Sequence, residues 1–141
     1  MTDAAETKCV IIADEGLPSG ILANTAAILG ITLGKQVPEC VRQDVTDGSG
    51  HRHAGFISIP VPILKGNRDL LGDLREKLFE EGNADLLVVD FSDVAQGCRV
   101  YSEYMQKASV TTEGEHVYLG LAIYGNKKKI NKLTGSLPLF H

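Results

Sequence analysis

The chain has no tryptophan, only 6% aromatic residues and only three cysteines among its 141 residues. Cys9, Cys40 and Cys98 show no paired spacing, which argues against a disulfide scaffold and favours a reducing, cytoplasmic environment. We therefore interpret Cys9 and Cys98 as small buried hydrophobic residues. Catalytic use of Cys40 lacks a partner signature in the sequence.

No apolar run approaches the roughly 20 residues that span a bilayer, so no membrane contact is predicted. The polar amino terminus does not resemble a secretory signal, and residues 1–7 are expected to form a flexible leader. Acidic residues outnumber basic ones by 18 to 14, giving a net charge of -4. This charge disfavours general binding of nucleic acid, which depends on neutralising phosphates.

Sequence motifs of the best-marked enzyme classes are missing. The chain contains no Walker A loop, GxGxxG fingerprint, HExxH pair or GxSxG elbow. No cofactor is predicted. A basic run at 127–129, with Lys132, either contacts phosphate groups or forms a solvated loop.

Alternating strand and helix patterns are the main positive signal. They predict one domain over residues 1–141, an α/β fold built as a three-layer α/β/α sandwich with a mixed β-sheet. The predicted strands lie at 8–13, 41–45, 55–59, 85–90 and 116–124. The predicted helices lie at 19–30, 67–82 and 92–108, and a final segment covers 137–140.

The stretch from Cys9 to Gly30 carries the most information. A β-branched strand ends at Asp14 and Glu15, and a Gly/Pro turn then leads into an almost wholly apolar helix. That helix should be buried on several sides, so the amide of Asn24 should be buried and hydrogen-bonded.

Acids at strand ends are the candidate catalytic groups. Asp14 and Asp90 each end a predicted strand, at the edge where open α/β sheets bind ligands, and such carboxylates can position water. The structural alternative is that Asp14 is a turn residue and Asp90 holds the amides that open the next helix. Five further residues are candidate ligand contacts: Glu15, Ser19, Gly20, Asn24 and Lys129.

A polar cluster surrounds the glycine turn at 47–50. His51 and His53 are two residues apart on a strand, and with Asp47 they offer an alternative metal site. The competing interpretation is a solvated hairpin.

Two segments resemble type 2 peptidyl-tRNA hydrolases: residues 119–125 with 129–139, and the first strand, turn and Ala-rich helix. Over residues 8–139 the chain also resembles the small, mostly bacterial proteins of domain of unknown function 2000. The resemblance implies a hydrolase-like fold. In the hydrolases the first helix begins with a Gly-Lys pair and carries a histidine, whereas this chain has Ser19, Gly20 and Ile21, with Ala27 near the histidine position. The resemblance implies that Asp90 corresponds to their catalytic aspartate, although residues 90–94 lack the threonine of their motif.

Three functions follow as expectations. The first is binding or hydrolysis of a small or nucleotide-like ligand at a crevice lined by Asp14, Asn24 and Asp90. The second is a non-catalytic interaction module, a homodimer joined through its apolar helix or an edge strand. The third, peptidyl-tRNA hydrolysis, lacks the lysine, the histidine and a basic surface. Whether the protein is an enzyme stays open; if it is, a hydrolase is expected.

Overall fold

A four-stranded mixed sheet forms the centre of the molecule, in the strand order β4-β1-β6-β5. The structure is a computed structural model and describes residues 6–140. The sheet strands are β1 (Thr7–Asp14), β4 (Ile63–Gly66), β5 (Leu87–Ser92) and β6 (Tyr118–Asn126). Strand β1 runs parallel to β4 and antiparallel to β6, and β6 runs antiparallel to β5. A separate hairpin pairs β2 (Val45–Thr46) with β3 (Arg52–His53).

Helices cover both faces of this sheet. They are α1 (Ser19–Gln36), α2 (Arg68–Leu78), α3 (Asp93–Gln96), α4 (Tyr101–Val110) and α5 (Lys127–Thr134). Helix α1 packs on one face, and α2 and α5 pack on the other. The predicted mixed α/β architecture is therefore confirmed. None of the helices in the described part of the chain is long and apolar enough to cross a bilayer.

Alternating residues of β1 supply both cores. Val10 and Ile12 face α2, while Cys9 and Ile11 face α1, and all four are at most 4% exposed. The predicted burial of Cys9 is thus confirmed. A Cβ atom on Gly120 would lie 2.9 Å from Cγ2 of Thr25, so the missing side chain lets α1 pack close to the sheet.

Helix α1 is longer and more exposed than predicted. It continues past Gly30 because Leu33 adds another buried position, and it stops where Val37 takes an extended φ of -129° before Pro38. Burial on several sides is wrong: the buried residues of α1 are Thr25, Leu29 and Leu33. Ile31 is 75% exposed.

The helix predicted over 92–108 is two helices. Helix α3 ends at Gln96, and α4 begins only at Tyr101, so residues 97–100 separate the two helices. Tyr101 and Met105 of α4 are 73% and 61% exposed. Cys98 is half-buried rather than buried.

Both chain ends of the described part contact the sheet. Thr7 already belongs to β1, and the carbonyl of Glu6 accepts from the amide of Lys127 at 2.8 Å, so the predicted leader is too long; residues 1–5 lie outside the described residues. At the other end, the amide of Lys65 donates to the Pro138 carbonyl at 2.8 Å. The amide of Phe140 donates to the carbonyl of Ile63 at 3.0 Å, so the final segment lies along β4.

Candidate functional site

Asp90 lies on β5, opposite Leu121 of β6. Its Oδ2 atom accepts a hydrogen bond from Nε of Arg75 on α2 at 2.9 Å, and the two side chains are 27% and 12% exposed. The Arg75 guanidinium also lies 3.6 Å from the ring centroid of Phe79. The carboxylate is therefore held in a fixed position, by an arginine that is itself packed against an aromatic ring.

A cleft of about 370 Å³ opens beside Asp90, where α1 and the α3–α4 segment flank the outer edge of β5. We call it the Asp90 cleft. It is lined by Ile28, Thr32, Val89, Asp90, Phe91, Ala95, Cys98, Arg99, Val100, Tyr101 and Tyr104. Because β5 is an outer strand of the sheet, alternate backbone groups at this edge point away from β6.

The cleft contains aromatic rings and hydrogen-bonding groups. The rings of Tyr101 and Tyr104 meet edge to face, with centroids 5.4 Å apart at 66°. Burial raises the pKa of Tyr104, and the nearby charge of Asp90 raises it further, so this hydroxyl stays a donor at neutral pH. Arg99 adds an exposed cation. The arrangement suits a ligand with a flat ring and polar substituents.

A second polar group lies next to Asp90 on the α2 side. Ser92 Oγ and His116 Nδ1 are 3.4 Å apart, and the His116 ring stacks on Tyr118 at 5.7 Å. The Tyr118 hydroxyl donates to Glu113, with Oε2 at 2.7 Å. Burial, followed by this hydrogen bond, raises the pKa of Tyr118 well above its usual range. Ser92 and Tyr118 of this polar network are buried, whereas His116 and Glu113 are half-buried and line a hollow of about 290 Å³ on the α2 side.

The predicted residues around Asp14 do not join Asp90. Asp14 ends β1, and β6 lies between β1 and β5. Its Oδ1 accepts from the amide of Gly16 at 2.9 Å, which is the turn role weighed as the alternative. Glu15, Ser19 and Gly20 are exposed, and neither they nor Asp14 line the Asp90 cleft.

Two further expectations fail on geometry. Asn24 is exposed rather than buried, because it lies on the side of α1 that faces away from the sheet. Lys129 follows β6, at the end of the sheet opposite Asp14, and its Nζ donates to Asp85 Oδ1 and Gly82 O, each at 2.6 Å. This hydrogen bond lowers the pKa of Asp85, so Lys129 anchors the start of β5 instead of holding a ligand.

The alternative metal cluster forms a hairpin. Asp47 Oδ1 accepts from the amides of Ser49 and His51, at 2.9 and 3.0 Å, and its Oδ2 lies 2.7 Å from His53 Nε2. These hydrogen bonds, that of His53 first, lower the pKa of Asp47. Within residues 6–140, no set of three or more His, Cys, Asp or Glu side chains is arranged to hold a metal ion.

Arg75 is the site residue that the sequence pattern concealed. It falls between Leu71 and Leu78, at helical spacing along the apolar face of α2. An arginine at an apolar-face position indicates a partner of opposite charge nearby, and that signal was available in the sequence. Thr32 and Arg99 had no comparable signal, because the cleft forms only when α1 and α4 come together.

The fold and the Asp90 cleft define a small α/β protein with a mixed four-stranded sheet and a ligand-sized hollow at its outer strand. The chain belongs to the family described as protein of unknown function (DUF2000), whose profile matches residues 7–141. This confirms the second of the two resemblances.

A solved structure of a protein of unknown function, Atu0240 from Agrobacterium tumefaciens strain C58, has the same fold. It matches with a TM-score of 0.86 and 18% sequence identity, over 96% of this chain and 98% of that one. No curated protein matches this chain significantly.

Proposed function

We propose that this protein binds a small nucleotide-like ligand in the Asp90 cleft. The observation that carries the proposal is a hollow of about 370 Å³ lined by Asp90, whose carboxylate Arg75 holds in place, and by two tyrosine rings and an exposed arginine. Ligand pockets of this size are typically apolar hollows with a few convergent polar groups, which is the composition found here.

The Asp90 carboxylate has one oxygen available. Arg75 occupies Oδ2, and no hydrogen bond to Oδ1 is made within residues 6–140. An ionised carboxylate only accepts hydrogen bonds, so the matching ligand groups are hydroxyl or amine donors, such as the hydroxyls of a ribose. Because Arg75 fixes the carboxylate beforehand, little side-chain entropy is lost on binding.

The remaining cleft residues fit the other parts of such a ligand. Tyr101 is 73% exposed and offers a ring for stacking against a base. The exposed Arg99 guanidinium suits a phosphate, which it can contact in bidentate fashion. The overall charge of -4 opposes a nucleic-acid strand but not a single nucleotide.

Hydrolysis is the weaker form of the proposal. The expected second carboxylate, Asp14, and the expected oxyanion donor, Asn24, do not line the cleft. One oxygen of Asp90 is already occupied by Arg75, so a single oxygen remains for a water molecule. Binding without turnover is therefore the function that the geometry supports better.

A thermal-shift screen with nucleosides and nucleoside monophosphates tests the proposal. At about 100 times its Kd, a bound nucleotide should raise the melting midpoint by roughly 5–10 °C. Asp90→Asn and Tyr104→Phe should remove most of this shift. Asp73→Asn on α2, outside the cleft, is the matched control and should keep it.

Two results would refute the proposal: no shift with any nucleoside or nucleotide, or an unchanged shift in Asp90→Asn. Assaying the same mixtures for released product separates binding from hydrolysis.

The likeness in fold to type 2 peptidyl-tRNA hydrolases remains a prediction. The cytoplasmic location also remains a prediction. Of the residues compared, Asp90 lines a cleft, while Ser19, Gly20 and Ala27 offer no lysine or histidine. Incubation with peptidyl-tRNA gives a direct answer. Release of free tRNA by the wild-type chain, lost in Asp90→Asn, would establish that activity, and we expect no release.

A further inference from the structure

We infer that this protein forms a two-fold dimer through the outer face of α1. We call this surface the outer α1 face. It consists of Gly20, Ala23, Asn24, Ala27, Gly30 and Ile31, all of which are exposed. No charged residue occurs between Gly16 and Gly34, so the exposed side of α1 is uncharged until Lys35 in its last turn, and Asn24 is the polar residue in its middle. A helix that is apolar all round is normally covered.

Apolar surface continues on both sides of the outer α1 face. On one side, Gly30 and Gly34 border a hollow of about 290 Å³, together with Val41 and Phe56, which are 42% and 81% exposed. On the other side, Ile28 borders the Asp90 cleft, whose rim includes residues of α4. The exposed rim residues there are Val100, at 59%, and Tyr101, at 73%.

The large exposed side chains supply part of the area that a dimer needs. Taking roughly 150–250 Å² for an aromatic side chain and about 60–120 Å² for a large aliphatic one, and leaving Tyr101 to the ligand, Ile31, Val41, Phe56 and Val100 expose on the order of 300 Å². That is over a third of the ~800 Å² that each partner buries in a stable interface. The alanines of α1 and a polar rim add to it.

The shape and charge of this surface fit a second copy of the same chain. In a two-fold interface the same patch meets itself, so a projection must lie beside a matching hollow. Ile31 projects from α1 next to the hollow at Gly30 and Gly34. A patch that meets itself also brings identical charges together, and residues 16–34 carry none. The net charge of -4 lies elsewhere on the molecule.

Asn24 gains a role in this arrangement. It is an exposed amide on an otherwise apolar helix face, and a single asparagine at a helix–helix interface sets the register by pairing with its copy. The dimer therefore explains a residue that contacts neither the core nor the Asp90 cleft.

Sedimentation equilibrium on the full chain tests the inference. The wild-type protein should have twice the protomer mass of 15.2 kDa. Ile31→Glu places an unpaired charge in the interface and should raise the dimer Kd by about 100-fold or more while leaving the protomer folded, because Ile31 is exposed there. Val110→Glu is the matched control, because Val110 is 79% exposed at the end of α4. The dimer Kd of this variant should stay within about twofold of the wild-type value.

The Gly30→Ala variant distinguishes an effect on the dimer interface from an effect on the folding of the protomer. A Cβ atom at Gly30 has no neighbour within 4 Å, so alanine fits the protomer and favours its helix. The same methyl group narrows the hollow that receives Ile31. We expect a higher melting midpoint for the dilute protomer together with a dimer Kd raised about tenfold.

Three results would overturn the inference. The first is a wild-type chain that stays at the protomer mass up to ~100 µM, a concentration within the range over which specific dimers form. The second is an Ile31→Glu variant whose dimer Kd is unchanged. The third is a Val110→Glu variant that loses the dimer to the same extent as Ile31→Glu. The second would place the interface elsewhere, such as the outer edge of β5. Binding of another protein without self-association would also count against it.

Discussion

The two faces of the sheet differ in how completely they are covered. Helices α2 and α5 turn apolar residues inward and charged residues outward, so that face meets water with a polar surface. Helix α1 covers the other face together with the segment from Val37 to Val61, and it carries apolar residues on both of its sides. Buried polar groups differ as well: Tyr118 on the α2 side donates to Glu113, whereas Thr25 Oγ1 on the α1 side has no hydrogen-bond partner among residues 6–140. The α2 face is adapted to solvent, and the α1 face is adapted to packing.

The largest expected effect on stability comes from comparing a buried and an exposed residue of α1, two positions apart. Leu29 is 0% exposed and Ile31 is 75% exposed. Leu29→Ala should lower the free energy of unfolding by about 2–5 kcal/mol, because it removes buried contacts and leaves a cavity. Ile31→Ala should change it by less than ~0.5 kcal/mol in dilute protein.

Urea denaturation measures both. Leu71→Ala on α2, where Leu71 is also fully buried, is the control for the other face and should match Leu29→Ala. A large loss in Ile31→Ala at low concentration would mean that the protomer itself needs this residue.

An effect of intermediate size on the free energy of unfolding is expected when two buried threonines are replaced. Thr25 and Thr134 are 0% and 1% exposed, but only Thr134 has a hydrogen bond, donated to the Ile130 carbonyl at 2.8 Å. Thr25→Val should raise the free energy of unfolding by about 1 kcal/mol, because it removes an unpaired buried hydroxyl.

Thr134→Val should instead lower it, by about 0.5–1.5 kcal/mol. The same denaturation assay compares them. Equal effects of the two substitutions would show that the Thr25 hydroxyl finds a partner in solution.

The smallest effect concerns alkaline pH. Because the folded chain raises the pKa of Tyr118, it holds that proton more tightly than the unfolded chain does. The contribution to stability is complete below the ordinary tyrosine pKa near 10 and is lost as the pH rises above it.

Tyr118→Phe should make the decline in stability above about pH 10 shallower. Unfolding curves between neutral and alkaline pH measure the slope, with Tyr101→Phe as the exposed reference. An unchanged slope in Tyr118→Phe would assign the alkaline loss to other groups.

Local patterns predicted three of the four sheet strands, whereas β4 was not predicted, and of the strands predicted at 41–45 and 55–59 only Val45 lies in an observed strand. The alternation of strands and helices gave the mixed α/β class, and the run around Val88 gave β5 to within two residues. Asp90 was identified because it ends that run. Where the prediction failed, a tertiary contact decided the outcome: the sheet offers α1 room on one side only, so Asn24 is exposed although every neighbour in the sequence is apolar or small.

The candidate site depends on pairs that are distant in the chain. Arg75 and Asp90 are 15 residues apart and meet because α2 crosses the sheet. Tyr104 reaches the cleft only because the chain breaks at Gly97 and restarts as α4. The position of Arg75 on the apolar face of α2 indicates that it has an acidic partner, but it does not indicate which acid, and this is why Asp14 was a more visible partner for Asp90 than Arg75.

The final segment of the described chain limits where the sheet can pair with strands of other molecules. Through Pro138 and Phe140 it occupies hydrogen-bonding groups of β4, so this margin of the sheet cannot recruit a further strand. At the opposite margin, β5 has no such cover within residues 6–140. Strands from other molecules can therefore add to this sheet only beside β5. Deleting the last residues would expose β4 as well, so that strands could add at both edges.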